Sequence, residues 1–130
     1  MVVLSYRPPR RAAGDQYTGL DRFGRVIDQS WYKSRAIDEY KYGYDGDSNV
    51  LRKQNMLSSS NSELYADQSG NFYGGLYRLQ HFQRGTLSVG HDSITGSAGT
   101  QDWTLDQVGN AFSISTNGTA QARTFSSENQ

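Results

Sequence analysis

The 130 residues contain no cysteine, which removes a disulfide scaffold, a Cys-ligated zinc site and a thiol nucleophile from consideration. Proline is nearly missing too, with two residues in the whole chain. Neither sign of charge predominates, since 13 Lys and Arg face 13 Asp and Glu. A dedicated nucleic-acid binder carries a basic excess to displace counterions, so a nucleic-acid partner is not expected. No stretch of about 18 apolar residues occurs, so no membrane span is expected either. Met1 to Arg11 place a short apolar run ahead of the positive charges. A secretory signal has the opposite order, and none is expected here. Aliphatic side chains are also few. Leu, Ile, Val and Phe together number 24 of 130, below the roughly 20% that marks an ordinary globular composition.

Other residues fill part of that gap. There are nine Tyr and two Trp, and each buried aromatic removes roughly 150–250 Å² from water. Fourteen Gly against two Pro imply many tight turns. Abundant Tyr, Thr, Ser, Gly and Asn without long apolar helical stripes predicts an all-β fold with thin, aromatic-rich packing. The expected architecture is an antiparallel meander of β-hairpins with open edges.

Residues 1–16 read as a flexible basic leader, with Arg7, Arg10 and Arg11 beside Pro8-Pro9. Residues 17–125 form the β region, and 126–130 a tail. Arg25 to Lys33 is strand-like. Glu39 to Asp45 is clearer, because Tyr40, Tyr42 and Tyr44 alternate with Glu39, Lys41 and Gly43. A period of two places the three rings on one face. Asp45 to Asn49 is a turn, and Val50 to Leu57 its returning strand. Glu63 to Asp67 and Asn71 to Gln83 are further strand candidates, the latter interrupted by Gly74-Gly75. Residues 88–101, rich in Gly, Ser and Thr, read as a loop. Asn117-Gly118 predicts a type I′ hairpin joining Ala111–Thr116 to Thr119–Phe125, with Ser113 opposite Ala122 and Ile114 opposite Gln121. This hairpin ends in an expected edge strand.

One pattern recurs along the chain: an Asp, two residues, Gly or Ser, then a polar residue. It appears at Asp21 to Gly24 and Arg25, at Asp45 to Ser48 and Asn49, at Asp67 to Gly70 and Asn71, and at Asp106 to Gly109 and Asn110. A bulky Leu20, Tyr44, Tyr65 or Leu105 precedes each Asp by one or two places. Tyr73 to Leu79 is an imperfect further copy, and residues 66–72 look inserted. In such a unit the Asp carboxylate accepts backbone N–H groups, and Gly or Asn takes the positive-φ position. Asp21, Gly24, Asp45, Asn49, Asp67, Gly70, Asp106 and Gly109 are therefore expected to be structural turn residues. Each unit is too small to bury its own rings and must stack on neighbours.

These residues resemble the YD repeat of the RHS (rearrangement hot spot) family, whose rough consensus is Tyr-Asp-x-x-Gly-Arg/Asn-Leu. Tyr44-Asp45 is the nearest literal match. The stretches YTGLDRFGRVIDQSW, YKYGYDGDSNVLRKQN, GGLYRLQHFQRGTL and WTLDQVGN are similar to repeats of large planctomycete surface polypeptides. The resemblance covers about residues 17–125. It implies a section of a long β-strip that spirals into a hollow shell, at the cell surface or secreted, with neighbouring repeats of the same or a longer chain as partners. Family members with a C-terminal toxin carry a Pro- and Asp-containing cleavage motif, and no such motif is present. The chain is thus expected to be a fragment or short orphan of such a strip, with no catalysis and no cofactor.

Candidate chemistry is sparse. Asp45, Asp47 and Asn49 have the spacing of oxygen ligands in a calcium loop, but Val50 and Met56 stand where an EF-hand needs Gly and Glu. A turn is the preferred reading, with a weak cation site as alternative. His81 and His91 are the only imidazoles and lack metalloprotease spacing. His81 is expected to pack on a strand. His91 beside Asp92-Ser93 leaves a small hydrolase as a remote alternative. Recurring aspartates favour architecture over catalysis, because a catalytic group is normally singular. The aromatic residues, chiefly Trp31, Tyr40, Tyr42, Tyr44 and Trp103, are candidates for stacking against sugar rings. A carbohydrate-binding module with glycans as partners is therefore the main alternative.

Overall fold

The computed structural model describes residues 5–6, 19–32 and 34–125. Within them run β1 (Ser5–Tyr6), β2 (Asp28–Tyr32), β3 (Ala36–Tyr44), β4 (Val50–Asn55), a 3-10 turn at Ser59–Asn61, β5 (Ser62–Leu64), β6 (Ala66–Asp67), β7 (Gly70–Asn71), β8 (His81–Leu87), β9 (Ile94–Leu105), β10 (Ala111–Thr116) and β11 (Thr119–Ala122). Nine of these form one sheet in the order β1-β2-β3-β4-β5-β8-β9-β10-β11, and β6 and β7 form a separate ribbon. Every pairing is antiparallel. The fold is the expected all-β meander, and the sheet does not close on itself.

Local chemistry sets the strand ends. β4 stops at buried Asn55, whose Oδ1 accepts the N–H groups of Leu57 (2.9 Å) and Ser58 (2.7 Å) and so turns the chain. The Asn55 N–H donates to the Oγ of buried Ser62 at 3.0 Å, tying the turn to β5. The β10–β11 hairpin has the register expected from Asn117-Gly118: Ser113 pairs with Ala122, Ile114 with Gln121 and Thr116 with Thr119. Asn117 (φ 51) and Gly118 (φ 79) both take left-handed conformations, as a type I′ turn demands. Asn117 also accepts the Thr100 N–H through Oδ1 at 2.8 Å, which holds the turn against β9.

Three expectations need correction. Residues 94–101 are not loop, because β9 begins at Ile94 and runs for 12 residues. Its Gly and Ser positions pair with β8, where Arg84 faces Gly99 and Gly85 faces Ser97. The register shifts on both sides of Gly85. A Cβ there would lie 2.5 Å from Ile94 Cγ2 and 2.6 Å from the Gly96 carbonyl oxygen, so the bulge requires glycine at 85. The strand expected over Asn71–Gln83 is divided: Tyr73 and Leu79 form an isolated bridge around a turn, and the long strand starts at His81. Ser5–Tyr6 of the expected leader pairs with Tyr32 and Trp31. The rest of residues 1–16, and the tail 126–130, lie outside the described residues.

The core is as thin as the composition implies. Among the described residues Leu64 is the one buried hydrophobic side chain, 1% exposed. Most of the described aromatic residues instead lie half-buried along the sheet, whereas Phe23, Tyr77, Phe112 and Phe125 are exposed.

Candidate functional site

The recurring acidic units become corners of one geometry. Residue i−1 pairs with residue i+5 at Leu20 and Val26, at Tyr44 and Val50, at Tyr73 and Leu79, and at Leu105 and Ala111. The residue at i+3 is left-handed each time: Gly24 (φ 77), Ser48 (φ 69), Tyr77 (φ 55) and Gly109 (φ 102). This is the type I turn with a following bulge that joins twisted strands across three residues. Asp21 Oδ1 accepts from the N–H groups of Phe23 (2.8 Å) and Arg25 (3.0 Å). Asp45 Oδ1 accepts from Asp47 (2.9 Å) and Asn49 (2.8 Å). Asp106 Oδ1 accepts from Val108 (3.0 Å), Gly109 (2.8 Å) and Asn110 (2.8 Å).

Asp67 departs from the pattern. Ala66 pairs with Asn71 and Asp67 with Gly70, so its hairpin is one residue shorter. Asp67 still accepts the Ser69 N–H at 2.8 Å. The fuller corner of that region is the imperfect copy at Gly74. There Gly74 N–H donates to the Arg78 carbonyl and Tyr77 N–H to the Gly74 carbonyl, both at 2.8 Å.

Two kinds of side chain join one corner to the next. The first is the tyrosine at i−1. Tyr44 donates its hydroxyl to the Val26 carbonyl (2.7 Å), and Tyr73 donates to the Val50 carbonyl (2.8 Å). In both cases the acceptor is residue i+5 of the preceding corner. The second is the arginine at i+4. Arg25 Nη1 donates to the Asp45 carbonyl (3.0 Å) and to Ser48 Oγ (3.2 Å), while its Nε holds Asp21 Oδ2 at 2.7 Å. Arg78 Nη1 likewise reaches the Gln107 carbonyl at 3.4 Å. The accepting corners carry Asn49 and Asn110 at i+4, whose Nδ2 groups close on their own aspartates at 2.8 and 2.9 Å. Arginine corners therefore reach outward and asparagine corners receive. Sequence reading missed Arg25, Tyr73 and Arg78 in this role. The available signal was their fixed offset from each corner's first residue.

The carboxylates are held in their charged form. Burial pushes Asp45 up, but hydrogen bonds from Asn49 and Asp47 outweigh it and hold the group below the ordinary carboxylate range. Burial likewise opposes, and bonds from Asn110, Gly109 and Val108 overcome, a rise at Asp106; Arg25 and Phe23 do the same for Asp21. Ser69 lowers Asp67. Half-buried Glu63 is raised by burial but lowered further by the Tyr65 hydroxyl and Arg84. Groups with folded pKa values below their unfolded ones stabilise fully above the unfolded values, and that contribution is lost as pH falls through the folded values. Thermal melts followed by circular dichroism should therefore hold a steady midpoint from neutral pH to about 5 and decline below about 4. A midpoint that rises on acidification would contradict the corner assignment.

The candidate cation loop at Asp45, Asp47 and Asn49 is bonded as a turn: Asp45 Oδ1 accepts the Asp47 and Asn49 N–H groups, and Asp45 Oδ2 accepts from Asn49 Nδ2. Among the described residues no three His, Asp or Glu side chains gather in a metal-binding group. His91 sits left-handed (φ 59) in the β8–β9 turn. Asp92 there accepts from Ser88 Oγ and Gln68 Nε2, each at 2.8 Å, and no hydrogen bond joins the His91 ring to Asp92 or Ser93. His81 packs edge-on against Phe72 at 4.6 Å and bonds Asp102 through Nδ1 at 2.5 Å. Ser115 faces Asp102 from β10. That row puts Asp102 between His81 and Ser115, so the imidazole is not the neighbour of the hydroxyl-bearing residue.

The aromatic candidates fall into two groups on one face. Trp31 meets Tyr40 edge-on at 6.0 Å, and Lys53 Nζ lies 4.4 Å from the Tyr40 ring centroid. Tyr42 donates to Gln29 Oε1 at 3.3 Å, and Tyr44 has Arg25 over its ring at 4.6 Å. Across the sheet, Trp103 stacks on Phe82 at 5.8 Å, and Phe82 meets Tyr65 at 6.4 Å. Glu63 lies between the groups, bonded to the Tyr65 hydroxyl and to Arg84. Burial and the Glu63 charge hold the Tyr65 phenol far above the ordinary range. No protein-family model matches the chain, and no curated protein matches it significantly.

Proposed function

We propose that this chain is a non-catalytic structural repeat module of an RHS-type, YD-repeat protein at the cell surface or secreted, forming part of a β-shell. The observation that carries this reading is the corner-to-corner linkage: Tyr44 to Val26, Tyr73 to Val50, Arg25 to Asp45 and Arg78 to Gln107. These contacts give the tyrosine and arginine of the repeat a mechanical purpose, since each hairpin is fastened to the next by side chains at fixed offsets. Its partners are then neighbouring repeats of the same or a longer chain.

A second reading is a carbohydrate-binding module. It is favoured by the half-buried rings Trp31, Tyr40 and Trp103 sharing one sheet face. The rings of Tyr42 and Tyr44 are already engaged with Gln29, Val26 and Arg25, which supports the structural role for them.

Urea denaturation of Tyr73→Phe tests the first reading. Removing one hydroxyl from a part-buried carbonyl should cost about 1 kcal/mol. Unchanged stability would remove the fastening role. Glycan-array binding that disappears in Trp31→Ala would favour the second reading instead.

A further inference from the structure

Two neighbouring corners carry apolar side chains at their tips. On the corner at Gly74, Leu76 is 66% exposed and Tyr77 63%; on the corner at Asp106, Val108 is 82% exposed. Arg78 joins the two corners. Its Nη1 donates to the Gln107 carbonyl at 3.4 Å, and a Cβ on Gly109 would lie 3.2 Å from the same nitrogen. Gln80 N–H donates to the Phe72 carbonyl (2.9 Å) and Trp103 N–H to the Gln80 carbonyl (2.8 Å), so the arms of both corners run side by side in the sheet. Two strand spacings put the tips about 10 Å apart. Leu76, Tyr77 and Val108 therefore belong to one cluster on one rim.

Tyr77 carries the strongest signal. It is left-handed (φ 55) at the position where the corners at Asp21 and Asp106 use Gly24 and Gly109. A bulky residue is unfavourable in that conformation. Among the described residues no side-chain hydrogen bond or ring contact of Tyr77 offsets this. The ring is thus held in solvent at a backbone cost, and such outliers gather at functional positions.

The arrangement selects the occupant. Separate tips with turns between them do not make the contiguous, complementary patch that a protein interface needs. A fluid bilayer surface takes apolar side chains without shape matching. Tyr77 has the apolar body and polar end of an interfacial aromatic, and Arg78 brings guanidinium donors that suit lipid phosphate groups. Asp106, the one carboxylate of these corners, is turned inward: its Oδ1 accepts three backbone N–H groups and its Oδ2 accepts from Asn110 Nδ2. The charges of Arg78 and Asp106 cancel, so the attraction is chiefly apolar and does not require anionic lipid.

We propose that the corners at Gly74 and Asp106 form a membrane-surface anchor, in which Leu76 and Val108 enter the acyl boundary of a phospholipid bilayer and Tyr77 and Arg78 stay among the headgroups. Such an anchor lies on the bilayer and does not span it. It goes beyond the structural role above and does not depend on it.

The test is co-flotation of the full chain with phosphatidylcholine vesicles, with and without phosphatidylserine, alongside sedimentation of the chain without lipid. The chain should float with both kinds of vesicle, and Leu76→Ser combined with Val108→Ser should weaken binding about tenfold. Tyr77→Gly separates binding from folding. Glycine suits the left-handed position, so the thermal midpoint should hold or rise while binding falls about threefold. Val89→Ser removes a fully exposed apolar side chain from the β8–β9 turn on the opposite rim and should leave binding unchanged. Should the double variant fail to fold, Tyr77→Gly decides. No flotation of the parent chain overturns the proposal. So does flotation with anionic vesicles only, flotation that survives the tip substitutions, or an equal loss in Val89→Ser. Self-association without lipid that the tip substitutions abolish would make a second copy the occupant and also overturns it.

Discussion

Leu64→Ala is expected to lower the unfolding free energy by about 2–4 kcal/mol, enough to bring a marginal sheet close to unfolding at room temperature. Leu64 is the single buried hydrophobic side chain among the described residues. It sits at the end of the three-residue β5, paired with Arg52 of β4 on one side and Gln83 of β8 on the other. β5 is thus the narrow link between β1–β4 and β8–β11, and a cavity there loosens both halves together. Urea denaturation provides the measurement. Ile37→Ala is the control, because Ile37 is 48% exposed and its truncation should cost less than about 0.5 kcal/mol. Equal costs for the two variants would show that the sheet is held elsewhere, by its ladder and corners alone.

The contrast between these two positions shows what the sequence makes legible. The strand alternation of Tyr40, Tyr42 and Tyr44 and the demand of Asn117-Gly118 for positive φ are local constraints, so β3 and the last hairpin follow from the chain itself. The acidic corners are legible for the same reason, since a carboxylate two to four residues from the N–H groups it accepts needs no tertiary partner. The first part of β9 reads as loop because Ile94 to Gln101 are mostly Gly, Ser and Thr, whose intrinsic preference is for turns. Its strand character comes from β8, which lies on the other side of the turn and accepts small residues opposite the Gly85 bulge. The burial of Leu64 was equally hidden. Nothing in Ser62-Glu63-Leu64 distinguishes it from the other eight leucines, and its depth is set by pairing partners 12 and 19 residues away.

The candidate site divides along the same line. The positions of Asp21, Asp45 and Asp106 were readable, whereas the reach of Arg25 to a corner 20 residues on was not. Likewise Trp31 and Trp103 were visible as rings, but the stacking of Trp103 on Phe82 depends on the register of β8 against β9. Glycine looks the same in sequence whether it turns a chain or leaves a space above a strand. The distinction appears only when a neighbour either fills that space or leaves it open.

Arg25→Ala is the second large effect expected. The lost bonds from its guanidinium to the Asp45 carbonyl and Ser48 Oγ, with the lost stacking over Tyr44 at 4.6 Å, should together cost about 2–3 kcal/mol. The contact to Asp21 adds to this only modestly, because it is a short-range pair near the surface. Arg25→Lys separates charge from shape. A lysine retains the positive charge but lacks the planar fork that serves Asp21, Asp45 and Ser48 at once, so it should recover less than half of the loss. A double-mutant cycle with Tyr44→Phe then isolates the fastening of the first two corners. Both side chains tie the same pair of hairpins, so the double variant should lose less than the sum of the singles. Strict additivity would mean that the two contacts act independently, and full recovery by lysine would mean that charge alone matters. Either result would remove the geometric basis for a fixed Tyr-to-Arg offset in the repeat.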